Sequence, residues 1–278
     1  MANVVVTGGH TGIGFELVKR LIQEGHRVAV LARSAERVVA IKEAVAPSVL
    51  EFFAVDLASQ GEVERVAHKI RSEWEHIDVL FNNAGVLLGD LRQSPQGNEM
   101  HYEVNTLAPL LLTRNLKPLF DAAAHPVVVN TSTDPVGSAK EIDFATLHRP
   151  KRIVRLFGSY VVSKVAVAAA MTAIAQAPEW SQVRIFNVAP GAIKTPMTSG
   201  DGMPFWLKPI RNLIFSSPEK GAARLFEAAF DDDRLRSPAF VVGGKMKPMK
   251  FELDEKDFAL VLQGSTEGAA FTKEIFAK

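Results

Sequence analysis

Val4-Val5-Val6-Thr7-Gly8-Gly9-His10-Thr11-Gly12-Ile13-Gly14-Phe15 is the stretch from which the fold is read. Three β-branched apolar residues in a row suit a strand buried on both faces. Glycines at 8, 9, 12 and 14 then make a tight turn. Phe15, Val18, Leu21 and Ile22 recur on one face of a helix that ends near Gly25. A glycine turn between strand and helix lets the backbone approach a pyrophosphate closely, with helix-start N–H groups aimed at its charge. Glycines alone are a weak signal, and a turn without a ligand is the plain alternative. The strand before and the amphipathic helix after supply the context that gives the pattern weight.

The same alternation continues outward. Apolar runs of strand length recur at Asn3–Thr7, Arg27–Arg33, Val49–Val55, Val79–Asn82, Pro126–Asn130, Val183–Val188 and Ala239–Val242. Helical spacing fills the gaps, as in Val63, Val66, Ile70 and Trp74. The expectation is an α/β fold: a doubly wound, mostly parallel seven-stranded sheet with helices on both faces. No linker divides it, so residues 1–278 read as a single domain. Its irregular stretches, about 134–157 and 195–217, follow strands and belong at the C-terminal edge, where such sheets bind ligands. Ser217-Pro218-Glu219 reads as a helix start.

Composition removes several classes of function. The 278 residues contain no cysteine, which excludes disulfides, thiolate metal sites and a cysteine nucleophile. Lys plus Arg is 32 against 31 for Asp plus Glu, a net charge of +1, so nucleic acid is not the expected partner. The seven histidines show no metal-binding spacing, and no metal is expected. The most apolar stretch, Val161 to Ala177, is interrupted by Ser163, Lys164, Thr172 and Gln176, so no membrane span is expected. With no secretory signal at the start, a cytoplasmic location is the expectation.

Four further elements lie along the chain in order: Asp56-Leu57, Asn82-Asn83-Ala84-Gly85, Tyr160-Val161-Val162-Ser163-Lys164, and Asn187-Val188-Ala189-Pro190-Gly191 followed by Ile193 and Thr195. Tyr160 and Lys164, four apart, share one helix face. A phenol is a poor acid–base group near neutral pH, and a neighbouring ammonium lowers its pKa toward the working range. With the spacing Thr7-Gly8-x-x-x-Gly12-x-Gly14, these elements make the chain resemble the compact branch of the short-chain dehydrogenase/reductase family, over about residues 2–243. The gap of 27 residues from Thr133 to Tyr160 is longer than usual for that branch. With Gly97-Asn98-Glu99-Met100-His101 and Ser217–Ala222, it resembles the retinol dehydrogenase- and protochlorophyllide reductase-like members. The chain departs from them at Ala108-Pro109, where Gly-His is usual, and an N-terminal membrane anchor is not expected.

The resemblance implies a Rossmann-like fold and a nicotinamide cofactor. It implies that Gly8, His10, Thr11, Gly12, Ile13 and Gly14 cradle the diphosphate, and that Asp56 and Leu57 meet the adenine. It places Asn83, Ala84, Gly85, Pro190, Gly191, Ile193 and Thr195 beside the cofactor. Eighteen residues after Gly14, where the family usually has the acid that holds the ribose hydroxyls, stand Ala32 and then Arg33. A carboxylate would repel a 2′-phosphate and a guanidinium would pair with it, so NADP(H) is the expected cofactor. Tyr160 is implied as the proton donor and acceptor, with Lys164 also on the nicotinamide ribose. Asn105 is implied to bend its helix and hold a water that links the lysine to solvent; Pro109 should disturb the same helix. Asn130-Thr131-Ser132-Thr133 stands where the family carries two serines. Thr133 aligns with the one that polarises the substrate, Ser132 being the alternative hydroxyl.

A carbonyl or alcohol is the implied substrate. The apolar run Met203-Pro204-Phe205-Trp206-Leu207, with Ile210, Leu213, Ile214 and Phe215, fits either a lid over a lipophilic pocket or packing on the core. In this family the helix after Lys164 often forms a homodimer or homotetramer interface; burial on the sheet accounts for its alanines equally well. Asp231-Asp232-Asp233 reads as a solvated turn, and residues 254–278 fit either a pocket cap or a sheet-edge cover. A dinucleotide sensor of the same fold, without chemistry, is the other class of function, and loss of Tyr160 or Lys164 would favour it.

Overall fold

Neighbouring valines of the first strand feed two different cores. The computed structural model describes residues 1–34, 49–138, 142–151, 158–203, 215–231, 234–249 and 251–277. In it β1 (Asn3–Thr7) sends Val4 and Val6 into one apolar cluster and Val5 into another. Side chains alternate along a strand, so an unbroken apolar run requires cover on both faces. β2 (Arg27–Ala32), β3 (Leu50–Ala54), β4 (Val79–Asn82), β5 (Val127–Thr131), β6 (Arg184–Ala189), β7 (Ala239–Val242) and β8 (Lys245–Lys247) complete the sheet. Their order is β3-β2-β1-β4-β5-β6-β7-β8. All neighbours pair in parallel except β8, which returns antiparallel on β7.

The eighth strand corrects the expected seven. Lys245-Met246-Lys247 is exposed throughout and offers no apolar run to read. Its one signal is Gly243-Gly244, both at positive φ (58° and 74°), the conformation that a two-residue hairpin turn demands. The lysines also blunt the sheet edge against pairing with another chain.

The helices follow in chain order. They are α1 (Gly12–Gln23), α2 (Gln60–Glu73), a composite α3, α4 (Lys117–Asp121), α5 (Ser159–Gln176), α6 (Pro218–Phe230), α7 (Glu255–Val261) and α8 (Gly268–Ile275). Composite α3 runs from an α-turn at Met100–Tyr102 through a π-helical turn at Glu103–Leu107 into Ala108–Asn115. Helices α1 and α6 cover the Val4 and Val6 face. Helices α2, α3 and α5 cover the Val5 face. Helix α5 is apolar and long enough to cross a membrane by composition, yet 72 % of it is buried inside the chain.

Residues 254–277 do neither of the things expected of them. Phe258, Phe271 and Ile275 join the core beside α3 and α5, and none of these C-terminal residues lines the cavity described below. Polar ties fix them there. Arg114 pairs with Glu267 at 2.6 Å and Glu274 at 2.9 Å. The Gly264 carbonyl accepts from Gln60 and Asn98, whose amides also reach the buried Glu103 carboxylate.

Candidate active site

Strand order reverses between β1 and β4, and the crevice beyond their C-terminal ends is where an open α/β sheet takes a ligand. A cavity of about 720 Å³ lies there. The turn that floors it tolerates no side chain at Gly14: a Cβ would sit 2.3 Å from the Gly8 carbonyl oxygen and 2.6 Å from Asn83 Nδ2. Asn83 holds the turn from β4, donating from Nδ2 to the Thr7 carbonyl at 3.0 Å. Thr7 Oγ1 answers by accepting from the Asn83 and Ala84 amides, both at 3.0 Å.

Most of the residues expected from sequence share this one cavity. Gly8, His10, Thr11, Gly12 and Ile13 line it at β1, Arg33 at β2, and Asp56 and Leu57 beyond β3. Asn83, Ala84 and Gly85 line it after β4, Thr133 after β5, and Pro190, Gly191, Ile193 and Thr195 after β6; Tyr160 enters from α5. Gly14, Asn105 and Lys164 stand behind the wall. Asp56 is partly engaged, since its Oδ1 accepts from the Ala58 amide at 3.0 Å. Met203 and Phe215 line the cavity. The rest of the proposed lid, 204–214, lies outside the described residues, as do Asp232 and Asp233.

Tyr160 is half-buried and Lys164 is buried. The lysine ammonium donates to the Thr131 carbonyl at 2.8 Å. Burial decides both ionisations: it pushes the Tyr160 phenol up to about 12 and the Lys164 ammonium down to about 8. For Tyr160 this is opposite to the effect expected of a nearby cation. The physical reason is that a low-dielectric wall penalises the charged form of each group, phenolate and ammonium alike.

The two candidate hydroxyls separate by exposure. Ser132 Oγ is sealed from solvent with no hydrogen-bond partner among the described residues, while Thr133 is half-buried; both residues line the cavity. Successive residues of extended chain face opposite ways, so the less buried Thr133 hydroxyl is the better placed of the two to meet a ligand.

Asn105 sits at the centre of the π-helical turn. Pro109, four residues on, has no N–H to close an α-turn onto the Asn105 carbonyl, and the widened turn precedes it. The Asn105 carboxamide grips Val86 at both ends, accepting from its N–H at 2.8 Å and donating to its carbonyl at 3.0 Å. It also donates to Ser163 Oγ at 3.1 Å, which binds the π-turn and α5 together.

A buried asparagine ladder supports this end of the sheet and was not expected as a unit. Asn82, Asn130 and Asn187 are in register on β4, β5 and β6. Asn82 donates to Asn130 at 2.9 Å and Asn130 to Asn187 at 3.2 Å; Asn187 then donates to the Ala168 carbonyl of α5. The available signal was an asparagine near the end of three successive strand runs. Its meaning needs the cross-strand register.

Comparison with known proteins agrees with this geometry. The profile of the short chain dehydrogenase family matches residues 2–142. Human retinol dehydrogenase 13 is 31 % identical over 229 residues, covering 79 % of this chain and 69 % of that one. Among solved structures, salutaridine reductase from Papaver somniferum superposes with a TM-score of 0.66 at 20 % identity, over 86 % of this chain and 99 % of the other. An alcohol dehydrogenase from the archaeon Thermococcus sibiricus, complexed with 5-hydroxy-NADP, gives 0.60 at 24 % identity over 80 % and 88 %. A doubly wound sheet, a glycine turn at its switch point and Tyr160 four residues before Lys164 thus sit in a chain that belongs to the short-chain dehydrogenase/reductase family of oxidoreductases.

Proposed function

We propose that the chain transfers hydride between NADP(H) and a lipophilic carbonyl or alcohol, with Tyr160 as the acid–base group. The observation that carries this reading is that one cavity wall holds the glycine turn, Arg33, Thr133 and Tyr160. The wall fits a dinucleotide, because Gly8, Gly12 and Ile13 bring the glycine turn and the start of α1 to the cavity, where backbone N–H groups suit a phosphate. Arg33, beside an alanine rather than an acid, suits a 2′-phosphate. The NADP analogue in the Thermococcus neighbour points the same way.

When bound, the nicotinamide supplies or takes the hydride. Thr133 donates a hydrogen bond to the substrate oxygen, and Tyr160 passes its phenolic proton to that oxygen as it becomes an alcohol. Leu87, Leu88, Met100, Val104, Met203 and Phe215 add apolar surface to the wall. The likeness to a protein named retinol dehydrogenase supports a substrate of that character. Following NADPH absorbance over a panel of aldehydes and ketones tests the reading: turnover of only small polar carbonyls would remove the lipophilic substrate. Tight NADPH binding with no turnover at all would favour a sensor.

Two predictions arise at this point. Arg33→Ala should weaken NADPH about ten- to a hundredfold, the worth of a charge-assisted contact, while leaving NADH affinity unchanged. Fluorescence titration of both nucleotides checks it, and equal loss for the two would place Arg33 away from the phosphate.

The second concerns pH. Carbonyl reduction uses neutral Tyr160 and charged Lys164, so its kcat/KM should be flat below about 8 and fall above it as Lys164 loses its proton. Alcohol oxidation is the same step reversed and needs the phenolate beside charged Lys164, so its kcat/KM should rise up to about 8 and level off above it, because the pair has then lost the single proton that this state also lacks. Profiles in both directions decide this; a reduction rate that rises through pH 9 would contradict it.

A further inference from the structure

One turn before Asn105, α3 carries His101, and both side chains reach the same strap of backbone. Asn105 holds Val86, and His101 Nε2 accepts from the Leu88 amide at 2.9 Å. His101 is 1 % exposed and its partner Glu99 2 %. His101 Nδ1 lies 2.6 Å from Glu99 Oε1, and Glu99 Oε2 accepts from the Tyr102 amide at 3.0 Å. A backbone N–H can only donate, so Nε2 must present its lone pair. The ring proton therefore resides on Nδ1 and points at the Glu99 carboxylate. Glu99 selects the tautomer, and the tautomer makes the bond to Leu88.

The strap held in this way is a wall of the cavity, lined by Val86, Leu87 and Leu88. Its outer side is pressed on residues 201–202. A Cβ on Gly89 would lie 2.7 Å from the Asp201 carbonyl oxygen, and one on Gly202 would lie 2.5 Å from that of Leu87. Arg92 reaches Asp201 at 3.7 Å across the same junction. On the inner side, the His101 ring stands edge-on to the Tyr160 ring, centroids 6.4 Å apart. The strap is thus pinned from outside by 201–202 and from beneath by Asn105 and His101, next to the phenol.

We propose that His101 is a positioning residue which, oriented by Glu99, fixes the 86–89 strap through the Leu88 amide and so sets the size of carbonyl substituent that reaches Tyr160. This role rests on the oxidoreductase reading above, and the test separates the two.

Two variants divide the His101 bonds between them. In His101→Gln the amide oxygen falls near the position of Nε2 and keeps an acceptor for Leu88. In His101→Asn the shorter amide falls near Nδ1, toward Glu99, and Leu88 loses its partner. KM and kcat are measured with decanal and with propanal, alongside NADPH affinity and hydrogen exchange of backbone amides in 84–92. H101N should raise KM for decanal about tenfold, the worth of one lost hydrogen bond, with propanal KM, kcat and NADPH affinity little changed. Exchange in the strap should quicken by a similar factor. H101Q should restore both readouts to near wild type.

Wild-type values for H101N in decanal KM and in strap exchange overturn the proposal. So does an H101Q that behaves like H101N. Glu99→Gln, which releases the tautomer without removing the ring, gives the same reading where H101N does not fold: its decanal KM should rise severalfold, and no rise overturns the proposal. A wild type that binds NADPH but leaves both aldehydes untouched overturns the oxidoreductase reading instead, and strap exchange then decides by itself whether His101 holds the wall.

Discussion

Tyr160→Phe should lower carbonyl reduction by about a thousandfold, within the roughly 10²–10⁴ that a positioned acid–base group supplies. Phenylalanine keeps the ring, its place on the cavity wall and its edge contact with His101. Only the proton donor goes. No charge is removed either, because burial holds the phenol neutral up to about 12. Packing, stability and the glycine turn are therefore untouched, and NADPH affinity should stay within about twofold of wild type. Absorbance of the reduced cofactor measures turnover, and its fluorescence measures binding. A variant that keeps a tenth or more of the activity would mean that another group delivers the proton. One that loses cofactor affinity in step with activity would give Tyr160 a binding role.

Gly14→Ala should abolish tight NADPH binding with the catalytic groups left in place. The added methyl would meet the Gly8 carbonyl oxygen at 2.3 Å, and that atom belongs to the backbone of the cradle itself. A flexible side chain could swing aside; a peptide in a turn tied to Thr7, Asn83 and Ala84 must move as a unit. Overpacking of this kind costs about 1–3 kcal/mol of stability. The displaced turn also forfeits the alignment of its N–H groups with phosphate. Losing two or three such hydrogen bonds corresponds to about thirty- to a hundredfold in affinity. Gly61→Ala is the control. It lies in α2 with no neighbour within 4 Å, so it should stabilise the chain by about 0.5–1 kcal/mol and leave NADPH binding unchanged. Thermal denaturation and nucleotide titration on both variants check the contrast. Tight binding by Gly14→Ala would mean that the cradle is not where the nucleotide sits.

Much of this architecture was legible from the order of residues. Val4-Val5-Val6 announces a strand covered on both faces, and the two clusters that receive Val4 and Val5 show why. Tyr160 and Lys164 lie in one helix at the spacing read from the chain. Strand β8 was hidden because three exposed residues carry no periodicity. The helical cover by 254–277 was hidden because Phe258 and Phe271 have the same spacing whichever surface they meet.

Spacing along the chain was enough for the alternation of strand and helix, the position of the glycine turn and the placing of Tyr160 four residues before Lys164. Each depends on spacing between near neighbours, and backbone geometry translates such spacing directly into shared faces and turns. Only the folded chain shows that burial opposes ionisation of Tyr160, that the Ser132 hydroxyl is sealed while Thr133 is half-buried, and that Asn82, Asn130 and Asn187 form one ladder. Solvation and register arise only when segments far apart in the chain close around each other, so no local pattern encodes them.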